Sequence, residues 1–451
     1  MKKIKATVLL TVVLVITAIL TAMAFARFPV GTKDFNGFLG AIRTDYDISG
    51  GTAYTLTLAD DNVKDVKDVN EVINVLKYRL NLLGYQSYSV KAIKEVDDAV
   101  RDYDIRIELR GSVNRYGEID SAALASDVSV VSAYGELVFY GGTEQNPTEK
   151  ILTDGVPVAD AAYGGTVSDG NDTYYVINIT FSDYGYNELK SLIGTGSYYL
   201  RIDVGDNTIT GEAGLQISAS TFSKVYTLTT TAGEATARRF ALQMKTGGLA
   251  YKYDVSAGEE VSSPLGANVG TKCFIAIAAL FAAIIVYAFV ADKKYGLVTF
   301  FSAVLFGDLY LFFLIAVPGV TLSLGGVIGF AAATLLFADG LNAVNKRIKE
   351  EFGRGKTVKS AVKAGYNGSL ARVLGSAGIC VVCSLILLAF TSGIVANFAM
   401  VFAIGAALAA ATVTLIARMF GNLLLPIAEY KPEFIGLVRN DTALAADEKG
   451  E

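Results

Sequence analysis

Apolar and polar residues are sorted into separate regions along this chain. Long apolar stretches occupy residues 6–26, 273–291, 297–317, 322–345 and 373–417, whereas residues 28–271 mix apolar and polar positions between turn residues. Each apolar stretch is long enough to cross about 30 Å of hydrocarbon as a helix. The pattern predicts a membrane protein with one large polar domain between its first and second spans.

The last apolar stretch predicts two spans. It runs for 45 residues without a charge, and a single helix of that length would be about twice as long as the membrane is thick. We expect the turn at residues 391–393, which are Thr, Ser and Gly, and six spans in total.

Ala22-Met23-Ala24 resembles a signal-peptidase site, but the first stretch is longer than most signal peptides. An uncleaved anchor is therefore favoured over a cleaved leader.

Basic residues predict the orientation of the spans. Lys2, Lys3, Lys5, Lys293, Lys294, Arg418 and eight Lys or Arg between residues 346 and 372 all fall on one side of the predicted bundle. By the positive-inside rule, both termini are cytoplasmic and the polar domain is extracytoplasmic, in the cell membrane. The region 346–372 is expected to be a solvated loop.

The polar domain predicts an α+β fold. Strand patterns occur at residues 52–58, 104–109, 136–140, 174–181 and 198–204, and helical spacing occurs at 69–83 and 234–245. The turn-rich region 141–170 is expected to form loops within an inserted subdomain. The predicted order is thus residues 1–27 as terminus and first span, 28–271 as outer domain, 272–426 as a five-span bundle, and 427–451 as a cytoplasmic tail.

Composition excludes several classes of chemistry. The 451 residues are 52% hydrophobic and 18% charged, with a net charge of −5 and no histidine. Histidine triads, histidine metal sites and histidine proton shuttles are therefore excluded, and the charge gives no reason to expect nucleic acid as a partner. Cys273, Cys380 and Cys383 lie in or beside apolar stretches, where thiols act as packing residues. We identify no nucleophile and base pair, metal-ligand cluster or phosphate loop, so the sequence predicts no enzyme, metal or cofactor.

Two carboxylates in the apolar stretches are the candidates for function. Asp308 lies midway along the third predicted span, and Asp339 lies in the fourth, followed by Asn342 and Asn345. Inserting an acid at such depth costs about 2.5 to 3.5 kcal/mol, so acids there commonly serve ion or substrate movement. For Asp339 a helix-end position that reaches the cytoplasmic face is the structural alternative. Glycines on spans four and six are expected to allow close helix packing; they are Gly325, Gly326, Gly329 and Gly405.

Several motifs, in this order, resemble the SecD subunits of the bacterial Sec protein translocase, which belong to the resistance-nodulation-division superfamily. Residues 47–51 (Asp-Ile-Ser-Gly-Gly) are similar to D-L-x-G-G, residues 79–84 to R-L-N-x-x-G, and residues 261–266 to V-G-P-S-L-G. Asp339 followed by residues 347–351 is similar to D-A-N-V followed by R-I-R-E-E, and residues 364–366 and 397–399 fall where A-x-G-F and G-F-A motifs occur. The resemblance extends from residue 2 to about residue 426.

This resemblance implies a specific architecture and role. It implies an outer ferredoxin-like base (residues 40–112 and 233–262) interrupted by a head (about 113–232), with Asp47, Gly50, Gly51 and Arg79 as outer-domain motif residues. The implied partners are a SecF-like six-span subunit, the Sec channel, unfolded exported polypeptides and the lipid bilayer. The implied function is protein export driven by the proton-motive force, without covalent chemistry.

The chain departs from the family pattern in the membrane. Asn342 lies three residues after Asp339 rather than two, and the polar D-x-N-x-T-T set of span five falls on Gly375, Ala377, Ile379 and Cys380. We therefore predict that Asp308 and Asp339, with Asn342, make a relocated proton-relay site. A binding-only module that has lost proton coupling, and an exporter of lipids or small molecules, remain the alternatives.

Overall fold

The computed structural model describes residues 3–26, 28–30, 33–35, 37–59, 69–93, 104–111, 120–135, 137–169, 172–194, 197–204, 207–249, 251–317 and 320–436. The break expected at Pro318 and Gly319, and most of the tail expected from residue 427, lie outside these ranges. Within them, two compact units form, one helical and one rich in strands.

Helices and strands alternate through the polar region, and helices alone follow from Val269 onward among the described residues. The helices are α1 (Lys3–Phe25), α2 (Gly37–Gly40), α3 (Tyr46–Ser49), α4 (Val69–Leu82), α5 (Ser121–Val131), α6 (Asp183–Ile193), α7 (Glu234–Thr246), α8 (Val269–Asp292), α9 (Gly296–Ala316), α10 (Leu324–Gly353), α11 (Val358–Phe390), α12 (Gly393–Ala411) and α13 (Arg418–Ile427). The strands are β1 (Phe28–Val30), β2 (Lys33–Phe35), β3 (Gly51–Leu58), β4 (Tyr88–Ala92), β5 (Ile105–Leu109), β6 (Leu137–Gly142), β7 (Glu149–Ile151), β8 (Val158–Asp169), β9 (Asp172–Phe181), β10 (Ser197–Val204), β11 (Asn207–Thr208), β12 (Leu215–Ser218), β13 (Val225–Thr230), β14 (Tyr253–Val255) and β15 (Glu259–Val261).

The helical unit contains the membrane-length helices. Among the described residues, five helical stretches are long and apolar enough to cross a membrane: Lys3–Phe25, Val269–Ala316, Leu324–Gly353, Val358–Phe390 and Gly393–Ile427. The second stretch consists of α8 and α9, which a short 3-10 turn joins at Lys293–Tyr295. The expected turn near residue 392 is present between α11 and α12.

Stacked aromatic rings and close glycine contacts hold this unit together. The rings of Phe306 and Phe337 lie 4.7 Å apart and those of Tyr310 and Phe330 lie 4.2 Å apart, so aromatic side chains connect the middle of α9 to α10. A Cβ atom on Gly329 would lie 2.7 Å from the Phe398 carbonyl oxygen of α12. Such separations leave no room for a side chain, and the predicted packing role of these glycines is confirmed.

The basic segment after the fourth predicted span is helical, contrary to the loop that its charge suggested. Helix α10 continues to Gly353 and α11 already begins at Val358, so residues 354–357 alone connect them. Lys, Arg, Glu and Ala are strong helix formers. The Thr357 hydroxyl accepts a hydrogen bond from the Ser360 backbone N–H and caps the start of α11. Both helices therefore extend beyond their apolar portions.

The second unit contains a five-stranded antiparallel sheet, with four strands in the order β14-β3-β5-β4 and β15 also paired to β3. Helix α4 connects β3 to β4, and α5 and α7 follow β5, so the connectivity is that of a split βαβ fold. The alternation of buried residues along β5 confirms the strand predicted there: Ile105, Ile107 and Leu109 are all fully buried.

A second set of strands is inserted between α5 and α7. One sheet has the order β11-β10-β6-β7, with β12 also on β10, and the other has the order β13-β9-β8. The expectation that residues 141–170 form loops is wrong, because β7 and the twelve-residue β8 lie there. Small residues and two irregularities in the pairing of β8 with β9 hide its strand pattern from a periodicity analysis.

Candidate functional site

Asp308 is a buried acid inside the helical unit. It lies on α9 with 6% of its surface exposed, and the Thr21 Oγ1 atom of α1 lies 2.7 Å from its Oδ2, within hydrogen-bond distance. The same Thr21 Oγ1 lies 3.0 Å from the Thr17 carbonyl oxygen, one helical turn earlier. Because Asp308 has no basic partner in these contacts, it is an acid whose environment consists of a hydroxyl and apolar side chains.

Asp339 has a different environment. Its side chain, on α10, is 54% exposed, and its Oδ2 lies 3.7 Å from the Arg372 guanidinium of α11. Asn342 lies on the same helix, where its Oδ1 accepts a long hydrogen bond of 3.4 Å from the Tyr287 hydroxyl of α8. The structure thus gives Asp308 a partner on α1 and Asp339 a partner on α11, and the contacts described do not join the two acids.

Helix α11 presents small and apolar residues where the family has its polar set. Ala377 is buried, Ile379 is 67% exposed, and a Cβ atom on Gly375 would have no neighbour within 4 Å. Cys380 and Cys383, a turn apart on this helix, are both free thiols. Gly375, Ala377 and Ile379 carry no group that could exchange a proton.

Asp47 marks a polar cluster that the sequence did not reveal. Its Oδ2 accepts a 2.6 Å hydrogen bond from the Leu324 backbone N–H, at the first residue of α10. Next to it, the Ser323 hydroxyl donates to Asn397 Oδ1 at 2.6 Å, and Asn397 Nδ2 donates to the Thr321 carbonyl oxygen. We call these five residues the α10 start cluster; it joins residues from three distant parts of the chain.

The neighbouring segment strengthens this attachment. The Asp45 backbone N–H donates to the Leu322 carbonyl oxygen at 3.1 Å, and the Leu322 N–H donates back to the Arg43 carbonyl oxygen at 2.6 Å. Gly50 follows α3 with φ of 73°, a conformation that favours glycine, and a Cβ on Gly51 would clash with the Leu109 carbonyl oxygen. Of the motif 47–51, residues 47–50 thus belong to the helical unit, and the sheet starts at Gly51.

Arg79 is a structural residue of the strand-rich unit. Its guanidinium is fully buried and donates to the carbonyl oxygens of Val131 at 2.7 Å, Ala133 at 3.0 Å and Gly247 at 2.6 Å, and to Thr246 Oγ1 at 3.0 Å. Val131 and Gly247 lie at the C-terminal ends of α5 and α7, where the partial negative charge favours a cation. Burial lowers the pKa of Arg79 to about 10, so the side chain remains charged at neutral pH.

A second polar cluster lies at the far end of α10. Asp292, at the end of α8, is buried and accepts hydrogen bonds from Asn345 Nδ2 at 2.6 Å and from Lys349 Nζ at 2.7 Å. In the sequence, Asp292 lies in a short basic loop. The only feature that distinguishes it there is that it is an acid beside two lysines. The cluster fixes α8 to α10 near the basic segment.

No family model matches this chain. Sequence comparison finds the protein translocase subunit SecD of Escherichia coli K12, 28% identical over 191 residues, which are 42% of this chain and 31% of that protein. The SecD subunit of Dehalococcoides mccartyi is 26% identical over 379 residues, which cover 80% of this chain and 82% of that protein. The match to the Escherichia coli protein thus spans about a third of its length.

Structural comparison extends the similarity over the whole chain. A crystal structure of SecDF in a super-membrane-facing form matches 97% of this chain with a TM-score of 0.70 at 19% identity. The match covers 58% of the SecDF chain. The fold, including both the helical and the strand-rich parts, is therefore shared with that structure.

Proposed function

We propose that this chain, which is a SecD-like protein, is an auxiliary subunit of the Sec translocase that binds exported polypeptide outside the membrane and uses the proton-motive force to move it. The observation that carries this proposal is the relation to a SecD subunit over most of both chains. The proposed role needs no covalent chemistry, and the partners we assign are the Sec channel and unfolded polypeptides.

The hydrogen bonds around Asp308 support a proton-carrying role for it. A threonine hydroxyl has one hydrogen to donate, yet Thr21 Oγ1 lies within hydrogen-bond distance of two acceptors, the Thr17 carbonyl oxygen and Asp308 Oδ2. One hydrogen shared between two acceptors gives two weak hydrogen bonds, whereas both contacts are full hydrogen bonds when the second hydrogen comes from Asp308. We infer that this arrangement is that of a protonated carboxylic acid, with Asp308 donating to Thr21.

Loss of that proton would change the local contacts. The ionised Asp308 would accept a hydrogen bond from the Thr21 hydroxyl, and the Thr17 carbonyl oxygen would then lose its hydrogen bond from that hydroxyl. One proton that crosses 100 mV releases about 2.3 kcal/mol, which is enough to shift a two-state equilibrium by tens of fold. We propose that α1 and α9, which carry Thr21 and Asp308, are the elements that this energy moves.

The exposure of Asp339 supports a second subunit on the α10 face. Asp339 lies on α10 six residues before the end of the apolar stretch 322–345, and contact of an acid with hydrocarbon costs up to about 2.5 to 3.5 kcal/mol. Ile328 and Leu335 are exposed on α10 as well. We propose six spans, cytoplasmic termini, an outer strand-rich domain, and a SecF-like six-span partner that covers this face.

An anchored polypeptide-binding module is the second candidate. The observation that favours it is helix α11, where Gly375, Ala377 and Ile379 stand in place of a polar set. Such a module would hold polypeptide outside the membrane without using the gradient. A protonophore distinguishes the two candidates, because it abolishes the assistance given by a motor and leaves a passive module active.

The test is the export rate of a secreted reporter in cells whose own copy is replaced by Asp308→Asn. We expect the gradient-dependent part of the export rate to be lost, because asparagine cannot exchange a proton. Asp254→Asn is the matched control, since Asp254 is exposed on β14 of the other unit. Unchanged export and unchanged protonophore sensitivity in Asp308→Asn would reject the motor and leave the passive module.

A further inference from the structure

A cavity of about 580 Å³ lies between α1, α8, α9 and the start of α10. Its walls are almost entirely apolar and include Phe25, Ile277, Phe281, Leu311 and Phe330. Its volume lies within the range of small-molecule binding sites. Asp308 and Thr21 also line it, so the buried acid faces this space.

The position of the cavity indicates where a ligand would enter. Helices α1 and α8 each pack against α9, on either side of the cavity, and the rings of Phe25 and Phe274 meet edge to face, with centroids 6.3 Å apart, across the gap between α1 and α8. Both helices expose apolar side chains outward, among them Val12 and Ile275. We infer that a ligand enters between these two helices from the hydrocarbon of the bilayer, since both helices are of membrane length and apolar.

The dimensions fit one hydrocarbon chain. The residues of α8 that line the cavity extend from Gly270 to Ile285, which corresponds to about 22 Å along the helix axis. One leaflet contributes about half of the 30 Å hydrocarbon core, so the cavity is long enough for an acyl chain of one leaflet. Apolar cavities exclude water and bind apolar ligands.

We propose that this cavity binds one acyl chain of a membrane phospholipid, whose end lies beside Asp308. The headgroup remains at the membrane surface, near the start of α8. The chain fills the space in front of the carboxylic acid and so controls whether protons can reach the acid through this cavity. Binding itself does not depend on the function proposed above; only the control of proton access does.

The experiment uses the full chain in membranes that contain a phospholipid with a photoreactive diazirine near the end of one acyl chain. The protein is extracted and purified in detergent before irradiation, so that lipid retained by the protein is the source of adducts. Mass spectrometry then maps the adducts. We expect them on α8 and α9 residues that line the cavity, such as Ile277 and Leu311, and not on Ile379, which is exposed on α11.

A pair of glycine substitutions provides the matched comparison. Gly307 lines the cavity, and a Cβ there would meet the Phe281 ring at 3.7 Å, which is an ordinary contact. Gly307→Leu should fill the space and lower cavity labelling about tenfold, the effect of a loss of 1.4 kcal/mol in binding free energy. Gly375→Leu, on α11 with open space around its Cβ, should leave labelling unchanged.

Ala278→Leu fills the same cavity from α8 and serves if Gly307→Leu does not fold. Equal labelling of Ile277 and Ile379 would overturn the proposal, as would labelling that neither cavity-filling substitution reduces. Because the readout is lipid retention, export can fail or persist without altering the result. A failure of the export proposal and a failure of this one are therefore distinguishable.

Discussion

At the scale of single residues, the properties of an acidic side chain depend on its hydrogen-bond partners more than on its position in the sequence. The sequence identified Asp308 and Asp339 as unusual acids, because each interrupts an apolar stretch. It could not assign partners, since Thr21 is 287 residues from Asp308 and its hydroxyl has no distinctive neighbours. The proposed difference between the two acids, one neutral and one exposed, is a consequence of packing.

The protonated state proposed for Asp308 can be observed directly. We expect the infrared difference spectrum between the native protein and Asp308→Asn, at neutral pH, to contain the carbonyl band of a protonated carboxylic acid. Thr21→Val should shift that band, because valine removes the hydroxyl that contacts Oδ2. Thr21→Ser, which keeps a hydroxyl, should restore the native band. A spectrum with carboxylate bands alone would contradict the proposal.

Arg79 provides a prediction about stability in the strand-rich unit. Arg79→Met should destabilise this unit by about 3 kcal/mol or more, because three buried carbonyl oxygens lose a charged donor. Resistance of the full-length protein to limited proteolysis measures the effect. Arg106→Met is the control, since Arg106 is partly exposed and pairs with Glu108 at the surface; a loss of about 1 kcal/mol or less is expected there.

The pKa of the Arg79 guanidinium determines how this residue makes the stability of the strand-rich unit depend on pH. Its pKa is lowered by burial to about 10, so the unfolded chain binds the proton more tightly, and this group increases stability as pH rises only above that value. Arg79 should therefore contribute no change in stability between pH 6 and 9, because this pH range lies about three units or more below the usual pKa of arginine and below the lowered pKa as well. A difference in protease resistance between Arg79→Met and native protein that stays constant from pH 6 to pH 9 would agree with this prediction.

At the scale of elements, the sequence predicts regular helices and strands well and their junctions less well. Strand β3, helix α4 and strand β5 lie where alternation and helical spacing predicted them. The region of β7 and β8 was expected to be loops, because glycines and small residues there match turn composition. The attachment of residues 45–47 to α10 was invisible, because it is a tertiary contact across 277 residues.

The start of α10 should depend on Asp47. Asp47→Ala removes the acceptor of the first helical N–H, and loss of such an N-terminal contact costs about 0.5 to 2 kcal/mol. We expect a lower midpoint of thermal unfolding for the detergent-solubilised protein, followed by circular dichroism. Asp47→Asn, which keeps an oxygen acceptor, should lie between native and alanine variants. Asp254→Ala, at an exposed position, should match the native midpoint; identical midpoints for both alanine variants would refute a role for this contact.

At the scale of the whole molecule, one sequence predicts the fold of its own chain but not the other chains that this fold contacts. The order of apolar stretches predicts the helices, and the motifs predict a SecD-like fold, which the match to SecDF over nearly the whole chain supports. The Asp339 side chain is half-exposed, and its contact with Arg372 at 3.7 Å is a weak ion pair. We infer that a polar neighbour on the α10 face covers it, because contact of an acid with lipid costs more than such a pair offsets.

A photoreactive amino acid at position 335 tests whether a protein covers that face. Leu335 is 54% exposed, one turn of α10 before Asp339, so its replacement should crosslink to a second membrane protein in native membranes. The same replacement at Val12, which is exposed on α1, should not give this product, because α1 packs against α9 and α13 elsewhere in the unit. If position 335 gives lipid adducts alone, no protein covers this face, and the partner proposed for it is rejected. A protein adduct instead places a second chain beside Asp339, so that protein and not lipid surrounds the exposed carboxyl group.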